Sequence, residues 1–188
     1  MSIEAIYRRV PPQEFARLQG DAKAAASYFS PSLEAMVEDW GNSVKVSANM
    51  QEPESSPHFL FLGTDWHALH FLLTGDGELK PHPLPPPPLG NVVQGGTETQ
   101  WPCTYGHIRS LTSDEVHAVA EALSKISVGE LRSRFSVASF NAAQVYPHGK
   151  RARWTDENAE TVFEIYPQVV EFFQSAARDG DMILLSSD

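Results

Sequence analysis

The segment Trp66-His67-Ala68-Leu69-His70-Phe71-Leu72-Leu73 limits the fold more than any other stretch of the chain. Thr64 or Asp65 stands before it as a capping residue and Gly75 follows it as a stop, so the pattern predicts a helix. At 3.6 residues per turn, Trp66, Leu69, His70 and Leu73 share one face, while Phe71 and Leu72 point elsewhere. A helix that is apolar on most of its circumference belongs inside a domain, with the other elements packed around it. His70, between Trp66 and Leu73, then reads as a core histidine.

Around this helix the chain divides into short elements. Residues 3–9 alternate with β-branched and aromatic content, which predicts a strand closed by Val10-Pro11-Pro12. Pro12 suits the first turn of a short helix carrying Phe15 and Leu18, and Asp21 can cap a second over residues 22–29. A third, after Ser30-Pro31, would use Leu33, Met36 and Val37. Residues 41–58 read as loop. The apolar run over residues 59–62 fits either a helix or a strand by periodicity alone.

Residues 107–111 form a candidate strand. Two capping boxes follow, Thr112 with Glu115 and Ser127 with Glu130, each opening a helix with inward apolar residues. Ser136 can cap a further short helix that ends at Tyr146-Pro147. Thr155 can cap a helix over residues 156–166. Pro167 then either kinks that helix or starts a last one carrying Val170, Phe173 and Ala176. Met182-Ile183-Leu184-Leu185 is a strand in need of a sheet. The expectation is a helix-rich α+β domain spanning residues 1–188, with a small mixed β-sheet drawn from 3–9, 107–111 and 182–185. A Pro/Gly-rich loop at about 76–104 contains Pro85-Pro86-Pro87-Pro88, read as an extended surface segment.

Three stretches resemble one known family. Trp66-His67-Ala68-Leu69-His70-Phe71-Leu72-Leu73-Thr74-Gly75 is similar to the Trp-x-x-Leu-His-x-x-Leu-Thr-Gly signature of the YfbM-like family. Arg109, Leu111-Thr112, Leu131, Phe135, Asn141 and Tyr146-Pro147 follow the second half of that family in order. Phe172-Phe173, Ala176-Ala177 and Gly180 resemble its last helix and strand. The resemblance implies a compact α+β fold of a bacterial family with no established activity, and it assigns no catalytic residues.

Charge and composition exclude several functions. The chain has 24 acidic and 14 basic side chains and a formal net charge of −10. Lys150, Arg151 and Arg153 form the densest basic cluster, but Asp156 and Glu157 follow at once, so no nucleic-acid partner is expected. No apolar run approaches the roughly 18 residues of a spanning helix, and the first residues do not resemble a signal peptide. With one cysteine, no internal disulfide can form. Cytoplasmic residence without membrane contact is the resulting expectation.

The candidate chemistry is sparse. Cys103 and His107 lie four apart without a nucleophile signature, so Cys103 reads as a small buried hydrophobe. There is no phosphate loop and no Gly-x-Ser-x-Gly elbow. His67 and His70 sit three apart on one helix, but a metal would need further ligands, and neither metal nor cofactor is expected. The remaining set is Trp66, His67, His70 and Arg109, whose indole, imidazoles and guanidinium could line a pocket for an anionic small molecule. Two functions follow as expectations. One is a non-catalytic interaction protein that engages a protein partner through its acidic surface; the other is a small-molecule-binding protein or enzyme with a pocket at those four residues.

Overall fold

Alternating burial in Ala5–Val10 marks β1, and the computed structural model, which describes residues 2–29, 57–79, 83–147 and 153–187, shows what lies on each side of it. The remaining strands are β2 (Phe59–Gly63), β3 (Thr97–Cys103), β4 (Gly106–Leu111) and β5 (Met182–Ser187), in the spatial order β2-β1-β5-β4-β3. All four pairings are antiparallel, where a mixed sheet was expected. The reason is the position of β5. It enters between β1 and β4 antiparallel to both, so those two strands run the same way but never pair with each other.

The apolar run at 59–62 is settled as strand β2. Its residues alternate in burial, and Leu60 pairs with Tyr7. The expected loop at 76–104 is the larger difference. It contains a 3₁₀ turn, Leu89–Val92, and then β3, entered through Gly96 with φ +83°. A Cβ at Gly96 would stand 2.7 Å from the Ser110 carbonyl oxygen, so this close approach requires glycine. The proline run is buried at Pro85 and bends at Pro87–Pro88 into the 3₁₀ turn instead of continuing extended.

Helices cover both faces of the sheet unequally. On one face lie α1 (Pro12–Gly20) and α2 (Ala22–Phe29). Their Phe15, Leu18 and Ala25 close over Val10, Trp101, Ile108 and Leu184. Asp21 caps α2 as expected, its Oδ1 accepting from the Lys23 and Ala24 amides at 3.0 Å. The third helix expected after Pro31, most of the 41–58 segment and the Lys150-Arg151 cluster lie outside the described residues.

The other face carries the main core. Against Tyr7, Leu62, Leu111 and Ile183 pack α3 (Trp66–Thr74), α4 (Ser113–Ser124) and α7 (Asp156–Asp179). The capping box at Thr112 forms in both directions with Glu115. The short helices α5 (Val128–Ser133) and α6 (Val137–Ala142) start at Ser127 and Ser136, whose side chains accept from Glu130 and Ser139 amides. Pro167 does not start a separate last helix: α7 runs through it, with the proline on the exposed side, where water can satisfy the lost backbone bond. Asn141 exchanges two 3.1 Å bonds with the backbone of Trp154, which fixes the approach to α7.

Candidate functional site

Helix α3 is enclosed as the all-round apolar pattern requires: all of Trp66–Thr74 except Phe71 and Thr74 is buried. Asp65 occupies the capping position without making a side-chain cap bond, while Gly75 ends the helix at φ +77° and donates its amide to the Phe71 carbonyl. This burial decides the fate of the two histidines. His67 and His70 have no exposed surface, and their rings stack at 6.4 Å between centroids and 20° between planes.

His67 Nδ1 accepts the Tyr146 amide at 2.7 Å, so the neutral ring carries its proton on Nε2. That nitrogen is buried and makes no hydrogen bond of good geometry among the described residues, although the ring lies near the backbone of Gly77 and Glu78. Neither nitrogen of His70 has a hydrogen-bond partner among the described residues. Burial pulls both imidazoles below their usual range, and for His70, with His67 beside it, the value falls to about 4. Both rings are therefore neutral at physiological pH. Among the described residues no group of three or more His, Cys, Asp or Glu side chains could hold a metal ion.

Trp66 is tied in a different way. Its indole Nε1 donates to the Ile3 carbonyl at 2.9 Å, the Tyr146 hydroxyl accepts the Ile3 amide at 2.9 Å, and the Trp66 and Tyr146 rings stack at 5.8 Å. That arrangement leaves one edge of Trp66 at a cleft of about 720 Å³ on the main-core face of the sheet. The cleft floor comes from Ala5 and Tyr7 on β1 and Leu185 on β5, its wall from β3 and β4, and its rim from Glu78, Leu79 and Leu84. The cleft is partly apolar because the polar atoms beneath it are already bonded. The Tyr7 hydroxyl, for example, donates to the Val92 carbonyl at 2.6 Å.

Arg109 stands on β4 in the cleft wall. Its Nη2 donates to the Gly96 carbonyl at 3.3 Å, and its Nε has no partner. Burial pulls its pKa down while Glu98, directly opposite on β3, works against that shift. A guanidinium remains charged throughout. Among the described residues it makes no ion pair. The wall is reshaped beside it by an irregularity in β3 between Glu98 and Pro102, where the Thr99 hydroxyl donates to the Ile108 carbonyl and accepts the Trp101 amide. Such bulges redirect side chains locally.

The structure thus divides the four sequence candidates. Trp66 and Arg109 line the cleft, whereas His67 and His70 lie sealed in the core behind it. Sequence reasoning passed over Glu98, Gln94 and Tyr105, which also line the cleft, as does His107, weighed in the sequence as a partner of Cys103. The signal was present in Thr97-Glu98-Thr99-Gln100-Trp101, a polar strand pattern hidden by neighbouring glycines and prolines. Cys103 likewise lies at the cleft, half-buried, where a buried residue was expected.

Comparisons with known proteins agree with this architecture. The sequence model of a family described as "Domain of unknown function (DUF1877)" matches residues 1–186. Among solved structures, the chain is similar to YfbM from Escherichia coli, titled a protein of unknown function. The match has a TM-score of 0.61 and 19% identity, covering 98% of this chain and 99% of that one. Comparison with curated proteins gives no match.

Proposed function

We propose, for a chain that belongs to the DUF1877 family, the YfbM-like proteins, that it binds a small organic molecule whose anionic group is received by Arg109. One observation carries this reading: a half-buried guanidinium lines a concave, partly apolar cleft and makes one backbone hydrogen bond and no ion pair among the described residues. Partly desolvated cations are normally compensated, and a convergent charge in such a cleft is how ligands are oriented. Leu79 and Leu84, the exposed large hydrophobic residues among those described, both line the same cleft, which supports an occupant with an apolar part.

The competing reading is a protein partner drawn to the acidic surface. It is supported by the net charge of −10, a property that steers association without defining an interface. The localised cleft is the more specific feature. No helix among the described residues is long and apolar enough to cross a membrane. With a single cysteine in the chain, a reducing cytoplasm is the setting we propose.

The test is a thermal-shift screen against small carboxylates and phosphate esters, run in parallel on the wild type and Arg109→Gln. The expected result is a saturable rise in Tm with some carboxylates in the wild type that is lost in the variant. Equal rises in both proteins would remove Arg109 from binding and overturn the reading.

A further inference from the structure

The charges around the cleft narrow its ligand beyond "anionic". Among the described residues, Arg109 is the one Lys or Arg side chain that lines it, whereas Glu78 and Glu98 bring two carboxylates. A phosphate ester carrying two negative charges would meet more repulsion than attraction. A simple cation would leave the guanidinium uncompensated. A ligand with one anionic and one cationic group side by side satisfies both.

The sheet register places the two charges in that relation. Glu98 and Arg109 are directly opposite one another on β3 and β4 and therefore share a face of the sheet. Side chains at such positions stand about 5 Å apart at Cβ. Yet among the described residues the two are not joined as an ion pair, and the Gly96 carbonyl holds the guanidinium by Nη2. The result is a fixed positive group with a negative group beside it, both free to meet a partner. Trp66, Val93, Leu79 and Leu84 supply an apolar wall for the remainder of the molecule.

We propose that the cleft binds a free α-amino acid with a large apolar side chain. Its carboxylate meets Arg109, its ammonium meets Glu98, and its side chain lies against Trp66 and Leu84. The proposal rests on the reading of the cleft as a ligand site and adds the second charge to it. Charge-assisted hydrogen bonds at both ends make the zwitterion bind more tightly than either half alone.

The experiment compares L-phenylalanine with phenylpropionate, which lacks the ammonium, and phenethylamine, which lacks the carboxylate. Binding is read by calorimetry and by protection of Cys103, the single cysteine, from alkylation. Phenylalanine is expected to bind and to slow alkylation, with each analogue weaker by about tenfold or more, the scale of one hydrogen bond to a charged group. In Glu98→Gln, an exposed strand position whose folding is checked by circular dichroism, phenylalanine and phenylpropionate should bind alike. Equal binding of those two in the wild type, with protection of Cys103, would overturn the zwitterion while leaving the cleft as a carboxylate site. An undiminished preference for phenylalanine in Glu98→Gln would overturn the role of Glu98. No binding and no protection by phenylalanine would overturn the proposal, and the carboxylate screen above then decides separately on the cleft.

Discussion

Arg9 and Arg109 stand on the same face of the same sheet, near opposite ends, and their surroundings could hardly differ more. Arg9 has 1% of its side chain exposed and is fully engaged: Nε donates to Asp181 at 2.9 Å, Nη1 to Ser175 at 2.9 Å, and Nη2 pairs with Asp179. It ties β1 to the end of α7 and to the entry of β5. Arg109 borders a cleft with one backbone acceptor and an unmatched Nε. One end of the sheet therefore uses a buried cation to lock three elements together, and the other presents a cation with capacity to spare. Buried charges tolerated by a fold are normally compensated ones, which is why the proposed ligand site falls at Arg109 and not at Arg9.

The largest effect should come from breaking the locked end. Arg9→Met leaves Asp181, with 9% of its side chain exposed, as an unpaired buried carboxylate. The expected loss is about 3–5 kcal/mol in the free energy of unfolding by urea. A loss no larger than that of an exposed ion pair would erase the contrast between the two ends.

Acid tests the core that lies behind the open end. His70 titrates near its ordinary 6.5 in the unfolded chain and near about 4 when folded. Between those values the unfolded state holds a proton that the folded state refuses. The contribution of the neutral ring is thus fully present above pH 6.5 and is lost as the pH falls toward 4. The loss should reach about 3 kcal/mol, and it should shrink in His70→Leu when urea midpoints are compared across that range. An unchanged pH profile in the variant would assign the acid sensitivity to other groups.

The smallest effect should follow from changing Arg109. Because no carboxylate depends on it among the described residues, Arg109→Met should alter the stability of the ligand-free protein by less than about 1 kcal/mol. A loss rivalling that of Arg9→Met would mean that Arg109 is structural and that the comparison fails.

The elements that local physics specifies were legible in the sequence, and those that depend on distant neighbours were not. Thr112 with Glu115 announces α4 because the cap needs only four residues, and the all-round apolar pattern from Trp66 to Leu73 correctly demands burial. Pro167 was ambiguous because only packing decides whether α7 continues through it. β3 was missed because its strand character depends on pairing with β4, while Gly95, Gly96 and Pro102 suggested a loop. The candidate site was half legible for the same reason. Helical spacing groups Trp66, His67 and His70, but which of them reaches a cleft depends on where Tyr146, Gly77 and Glu78 pack. Glu98 acquires meaning only from its register with Arg109.

The place of β5 also sets an order of events during synthesis. It occupies the middle of the sheet, yet it follows every other described element along the chain. While the ribosome is still making α7, β1 and β4 have an empty slot between them and no partner of their own across it. The long-range pairings that join residues 5–10 and 109–111 through 182–187 form only once that strand emerges, and contacts so distant in sequence are slow to form. Until then the apolar face later shared by α3, α4 and α7 has no continuous sheet to close on. The cleft, whose floor includes Leu185 and whose wall includes Arg109, is complete only once β5 has joined β4.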